Sequence, residues 1–210
     1  MKIDLHNIDC IEYMATLPDK SFDLVLTDPP YGLGIEYNSF NDTEENVSDL
    51  AALWLPEARR ISHNVAFTCG TDRMHLYDPP NWVYAWYTPQ GVGSTSYGFQ
   101  CWQPIMYYGR DVMLANRKGR RSDVITWSSQ TPDKSGGFHP CPKPVEFFEK
   151  CLSRFAVDGF KVFDPFLGSG SSAIAAHNMG FDLVGCELDK EYYDAACKRL
   201  ADHQKQLRLI

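Results

Sequence analysis

The chain runs to 210 residues, 44% hydrophobic and 22% charged, which suits one soluble globular domain and excludes a disordered or fibrous chain. Its formal net charge of -7 argues against a protein that coats nucleic acid over its whole surface, so any nucleic-acid face has to be local. No stretch approaches the ~20 apolar residues of a membrane span, and the seven scattered cysteines include no Cys-x-x-Cys pair, so a cytoplasmic protein without membrane, disulfide framework or metal is expected.

In chain order, Phe22 to Thr27 is a run of mostly β-favouring residues that stops at Asp28-Pro29-Pro30, as a buried strand ending in a rigid turn should. Asp49 to Ile61 follows as an amphipathic helix with Leu50, Leu53, Trp54 and Ala58 at helical spacing, and Asn64 to Thr68 as a strand. Trp82 to Tyr108, broken by Gly91, Gly93 and Gly98, reads as strands joined by loops. Within it Trp82, Tyr84 and Trp86 would share one strand face, which suits burial better than base contact. The run Arg117-Lys118-Gly119-Arg120-Arg121 is opposite in sign to the acidic stretch around Asp42, Glu44, Glu45 and Asp49. It is either a nucleic-acid-facing side or a solvated loop. His139 to Val145 is a proline-stiffened entry into a helix containing Phe147, Phe148, Cys151 and Leu152. Phe160 to Phe163 is a strand, a helix begins near Ser171 with serine as its cap, and Gly180 stops it. Phe181 to Cys186 is the next strand, with a last helix from about Lys190 to Gln204. Strands alternating with helices imply a largely parallel α/β sheet.

Two loops carry the chemistry. Asp28-Pro29-Pro30-Tyr31 sits at a strand's carboxyl end, where open α/β sheets bind ligands. A base amino group has its lone pair delocalised into the ring, and it becomes a better nucleophile when acceptors hold its hydrogens. Asp28 offers a carboxylate, Pro29 a carbonyl on a backbone with fixed φ, and Tyr31 a stacking face for a base taken out of a duplex. The second loop, Asp164-Pro165-Phe166-Leu167-Gly168-Ser169-Gly170, has glycines that let backbone approach a ligand. It lacks a P-loop lysine, and position 173 is Ala where a full Gly-x-Gly-x-x-Gly pattern has glycine. Glu187 follows Asp164 by 187 − 164 = 23 positions, near the ~20-residue offset of a carboxylate on ribose hydroxyls, so an adenosine-containing cofactor is implied; helix capping explains Glu187 equally well taken alone. Lys143 could pair with a cofactor carboxylate or simply be solvated, and His139 reads as structural.

Together these segments resemble the amino-methyltransferases of DNA, in the beta class, where the DPPY tetrapeptide (Asp28 to Tyr31) precedes an HPxxKP-like segment (His139 to Pro144) and the DPFxGSG loop (Asp164 to Gly170). The resemblance implies a Rossmann-like S-adenosylmethionine-dependent fold with helices on both faces of a mostly parallel sheet and a circularly permuted motif order. It implies a single domain over 1–210 with a small target-recognition insertion at roughly 71–130, short enough to suggest a short or loosely read DNA site. Asp28, Pro29, Pro30 and Tyr31 would hold the flipped base. Phe166, Gly168, Ser169 and Gly170 would surround the methionine part of the cofactor, Lys143 its carboxylate and Glu187 its ribose. Asp9 would lie near the cofactor adenine, or cap a helix. Asp164 would orient the loop or the cofactor amino group. Arg117, Lys118, Arg120 and Arg121 would contact DNA phosphates. The expected reaction is direct displacement onto the N6 amino group of adenine in DNA, in a restriction-modification setting, with a homodimer left open. N4-cytosine methylation remains an alternative, with serine common at the first tetrapeptide position, as do glutamine-amide or RNA methylation, with asparagine there. A noncatalytic DNA-binding protein and a nicotinamide enzyme are the remaining alternatives.

Overall fold

The computed structural model describes residues 1–91, 93–127 and 139–206. Its strands are β1 (Ile3–Asn7), β2 (Phe22–Thr27), β3 (Ser62–Thr68), β4 (Trp82–Tyr87), β5 (Gly93–Thr95), β6 (Gly98–Gln100), β7 (Trp102–Tyr108), β8 (Val124–Thr126), β9 (Lys161–Asp164) and β10 (Asp182–Glu187). Its α-helices are α1 (Cys10–Ala15), α2 (Glu44–Ile61), α3 (Val112–Ala115), α4 (Val145–Phe155), α5 (Ser171–Met179) and α6 (Lys190–Gln206). Eight strands form one sheet in the order β1-β10-β9-β2-β3-β7-β4-β8; β7 alone runs antiparallel to its neighbours.

Alternation along the central strands divides the core between two faces. Leu24, Leu26, Ala66, Ile105, Tyr107 and Val162 meet α4, α5 and α6 on one face. Val25, Val65, Phe67, Met106 and Phe163 meet α1 and α2 on the other. In α5, Ala173, Ala175 and Ala176 are fully buried, and such small side chains let the helix lie close to the strands. No helix among the described residues is long and apolar enough to cross a membrane.

The elements depart from the sequence reading in several places. Helix α2 begins at Glu44 rather than Asp49, because the Thr43 hydroxyl caps it by accepting the Asn46 N–H at 3.2 Å. Its Leu53 faces solvent. The cap of α5 is Gly170, at φ 78, rather than serine; Ser171 is already helical, and the Ser172 hydroxyl is committed to Asp164. Strand β1 is an unforeseen edge strand whose mixed polarity hides it. Trp82 is exposed at the start of β4, whereas Tyr84 and Trp86 are buried. Of the insertion expected at 71–130, β4, β7 and β8 lie in the main sheet, the β5–β6 hairpin stands outside it, and 92 and 128–130 fall outside the described residues.

Candidate active site

Strands β2 and β9 are adjacent at the middle of the sheet, with Val25 beside Phe163. From β2 the chain passes through α2 to β3 on one side; from β9 it passes through α5 to β10 on the other. The strand order therefore reverses between them, and such a switch point leaves a crevice at the carboxyl ends of the strands. Both sequence-predicted loops open into this crevice. The Thr27 hydroxyl donates to Asp164 Oδ1 at 2.6 Å, tying the root of one loop to the root of the other.

Asp164 is fully buried and also accepts the Ser172 hydroxyl and the Phe166 N–H, the latter at 3.1 Å. It orients the glycine loop from behind and does not face the crevice. Burial pushes its carboxyl up to about 6 in spite of these three donors. A carboxyl raised in the folded state is protonated in both states at low pH, and its contribution to stability declines as pH rises from about 4 through about 6. Asp164→Asn should flatten this part of the pH profile of the melting temperature, measured by thermal unfolding between pH 4 and 7 (about the range set by the shift).

A cavity of about 220 Å³ gathers Asp9, Asp28, Pro30, His139, Lys143, Phe166, Gly168, Ser169 and Glu187 on its walls, together with Asp189 and Tyr192. Pro29, Tyr31, Asp164 and Gly170 of the expected site set are not on its walls. Asp9 caps α1, accepting the Ile11 N–H at 2.7 Å, and also lines the cavity. Glu187 accepts the Gly168 N–H at 2.8 Å and the Asp189 N–H at 2.9 Å, and burial raises its carboxyl above the usual range. Gly168 has φ 51, a conformation that strains other residues, and a Cβ there would crowd His139 Nε2 at 3.0 Å, so both observations favour glycine. Gly170 instead admits α6, since a Cβ would meet the Ala196 Cβ at 3.0 Å. His139 packs between Tyr37 and Tyr192, a structural role, and burial lowers its pKa.

The Asp28 carboxylate is held by one oxygen. Its Oδ1 accepts from the Tyr31 hydroxyl and the Thr68 hydroxyl, and Lys143 Nζ lies 3.3 Å away. Its Oδ2 meets no donor among the described residues. Lys143 Nζ also donates to the Tyr31 hydroxyl at 3.0 Å and sits 5.0 Å from that ring's centre. Lys143 is thus turned to the tetrapeptide, and the Tyr31 hydroxyl, whose pKa burial raises, is turned to Asp28.

Sequence reasoning missed the loop that roofs this cavity. Buried Asp42 accepts the backbone N–H groups of Gly32 (2.7 Å), Leu33 (3.0 Å) and Ile35 (3.0 Å), which fixes the path after the tetrapeptide. The Ser39 hydroxyl then donates to Asp189 at 2.6 Å, closing the loop onto the start of α6. Nothing in the order of residues signals that Asp42 reaches back ten positions. Asp42→Ala would strand three N–H groups and is expected to destabilise the fold by at least about 2 kcal/mol and weaken ligand binding, read by thermal unfolding and calorimetry.

The basic run is placed elsewhere. Arg117, Lys118, Arg120 and Arg121 are exposed in the loop between α3 and β8, beside the beginning of β4 and the end of β7. Asp28 adjoins Thr68 at the other end of these strands. The four cations therefore do not join the cavity.

A family model described as DNA methylase matches residues 100–198. The type II methyltransferase M2.DpnII of Streptococcus pneumoniae is 34% identical over 242 residues, spanning 95% of this chain and 90% of the relative. In structure, the cytosine-N4-specific PvuII DNA methyltransferase superposes with a TM-score of 0.72 at 13% identity, over 98% of this chain and 92% of that one. The M1.HpyAVI–SAM complex does so with 0.64 at 19%, over 94% of this chain and 100% of that one. Close sequence kinship over nearly the full length, on the fold and switch-point crevice just described, places this chain in the N6/N4 family of DNA methyltransferases.

Proposed function

We propose that the protein transfers a methyl group from S-adenosylmethionine to the N6 amino group of adenine in DNA. The observation that carries this reading is that Asp28 and Gly168, far apart in sequence, line one cavity. The wall chemistry suits the cofactor. Asp9, Asp28, Glu187 and Asp189 line the cavity with Lys143 as the sole lysine or arginine among the described lining residues, an acidic surround that favours a sulfonium and disfavours the pyrophosphate of a nicotinamide dinucleotide. When bound, S-adenosylmethionine supplies an electrophilic methyl group on a sulfur leaving group.

The residues of the chain would do the rest. Glu187, anchored through Gly168 and Asp189, is placed to accept ribose hydroxyls, and Asp9 to face the adenine ring of the cofactor. Phe166, braced edge-on by Trp54 at 5.4 Å, and Ser169 would wall the methionine end. Asp28 Oδ2 would accept one hydrogen of the base amino group, while Oδ1 stays clamped. The Pro29 carbonyl is the second acceptor of this scheme. Lys143 is a positioning residue for Asp28 and Tyr31, in place of the carboxylate partner expected from sequence. Adenine is favoured over cytosine because the first tetrapeptide position carries Asp28, where the resemblance expects serine in N4-cytosine enzymes. Mass spectrometry of nucleosides from DNA incubated with protein and cofactor tests the proposal: N6-methyl-2′-deoxyadenosine supports it, and N4-methyl-2′-deoxycytidine or no methylated nucleoside overturns it.

A further inference from the structure

With Lys143 turned to Asp28 and Tyr31, the α-carboxylate of S-adenosylmethionine needs a donor elsewhere on the cavity wall. It is the one anionic group of the cofactor. A carboxylate taken out of water without donors is costly, and Asp9, Glu187 and Asp189 on the same wall repel it. Several donors of the lining are already committed: the Ser39 hydroxyl to Asp189 at 2.6 Å, the Gly168 N–H to Glu187 at 2.8 Å, and the Ser169 hydroxyl in a hydrogen bond with Ser171 at 3.1 Å. The Tyr192 hydroxyl meets the Asn38 backbone N–H. The Tyr37 hydroxyl, by contrast, has no partner among the described residues.

Tyr37 is set on this wall by the roofing loop. Two positions before it the Ile35 N–H is held by Asp42 at 3.0 Å, two positions after it Ser39 is held by Asp189, and its own N–H donates to the Ile35 carbonyl at 3.1 Å. Its ring leans on His139 with centroids 5.9 Å apart, and His139 Nε2 lies against Gly168, so Tyr37 stands at the end of the cavity walled by the glycine loop. Burial raises the Tyr37 hydroxyl above its ordinary pKa, so it keeps its hydrogen at neutral pH. His139 offers a second donor beside it. Its Nδ1 accepts the Cys141 N–H at 3.2 Å, so the neutral ring, favoured by burial, carries its proton on Nε2. That N–H has no acceptor among the described residues.

We infer that the Tyr37 hydroxyl and His139 Nε2 together hold the α-carboxylate of the cofactor's methionine moiety, the role that the family resemblance gives to Lys143. The assignment rests on S-adenosylmethionine being the ligand of this cavity. It sorts the charges of the cofactor by wall: the carboxylate meets two neutral donors beside Gly168, and the ammonium and sulfonium meet the acids of the lining. One lysine shared between the cofactor and Asp28 would loosen its hold on Asp28 each time cofactor bound. Separate donors leave the Asp28 clamp unchanged by cofactor binding.

Calorimetry with S-adenosylhomocysteine and with its decarboxylated analogue, which keeps the adenosine and the amine, tests the assignment without any methyl transfer. The wild type is compared with Tyr37→Phe, which removes one oxygen and keeps the ring against His139, and with His139→Phe, which keeps a ring between Tyr37 and Tyr192. Each variant is expected to bind S-adenosylhomocysteine about 10-fold more weakly, because a hydrogen bond to a charged group is lost, and to bind the decarboxylated analogue as the wild type does. Tyr37→Phe alone decides should the His139 variant not fold. Unchanged S-adenosylhomocysteine affinity in Tyr37→Phe overturns the inference, as does equal weakening of both compounds, which would place the hydroxyl on the adenosine or the amine. A selective loss of S-adenosylhomocysteine in Lys143→Met, with Tyr37→Phe unaffected, overturns it too and returns the carboxylate to the lysine. A wild type that binds neither compound removes the cofactor from this cavity and the inference with it. A wild type that binds both, with no selective loss in Tyr37→Phe, removes this assignment alone, so the two failures are distinguishable.

Discussion

Asp28→Ala is expected to lower methyl transfer at least about 10²-fold while leaving S-adenosylmethionine binding largely intact, the scale seen when one preorganised hydrogen-bonding group is removed from an active site. The side chain lines the cavity and its Oδ2 meets no donor among the described residues, whereas the other lining carboxylates, Asp9, Glu187 and Asp189, are committed to helix caps and the glycine loop. Since oriented reactants can account for about 7 to 11 kcal/mol of a barrier, loss of the group that orients the nucleophile falls on turnover, not on cofactor affinity. Transfer of a labelled methyl group and calorimetry with the cofactor read the two separately. Loss of both in a folded variant would mean that Asp28 belongs to the cofactor pocket.

What could be read from the order of residues follows from how local each feature is. Strand β2 was legible in full, because Phe22 to Thr27 is mostly β-favouring and Pro29 ends it. The glycine loop was legible because Gly168 and Gly170 adopt positive φ, and each sits where a Cβ would collide. Hidden features depend on partners distant in sequence. Asp42 looks like one more acid in an acidic stretch until its three amides are seen. Thr68 ends an ordinary strand, yet its hydroxyl fixes Asp28, forty positions earlier. The basic run is a local concentration of charge in the sequence, but only the antiparallel course of β7 decides at which end of the sheet it emerges, and that is the end away from Asp28.

Lys143→Met separates two roles for the one lysine among the described residues of the cavity. If Lys143 served the carboxylate of the cofactor's methionine, its loss would weaken cofactor binding, with turnover at saturation largely kept. The geometry favours the other outcome. Nζ lies 3.3 Å from Asp28 Oδ1 and 3.0 Å from the Tyr31 hydroxyl, and only 12% of the side chain is exposed, so the ion pair is poorly screened. Without it, Asp28 keeps the Thr68 and Tyr31 hydroxyls but loses its cation, and Tyr31 loses the charged donor to its hydroxyl and the cation over its ring. Charge-assisted hydrogen bonds contribute about 1.5–3 kcal/mol, so turnover should fall roughly 10- to 100-fold with the cofactor dissociation constant little changed. Thr68→Val should reproduce the pattern with a smaller drop of about 1 kcal/mol, since a neutral donor is lost. A rise in the cofactor dissociation constant at unchanged turnover would return Lys143 to the cofactor and leave Thr68 and Tyr31 as the whole of the Asp28 clamp.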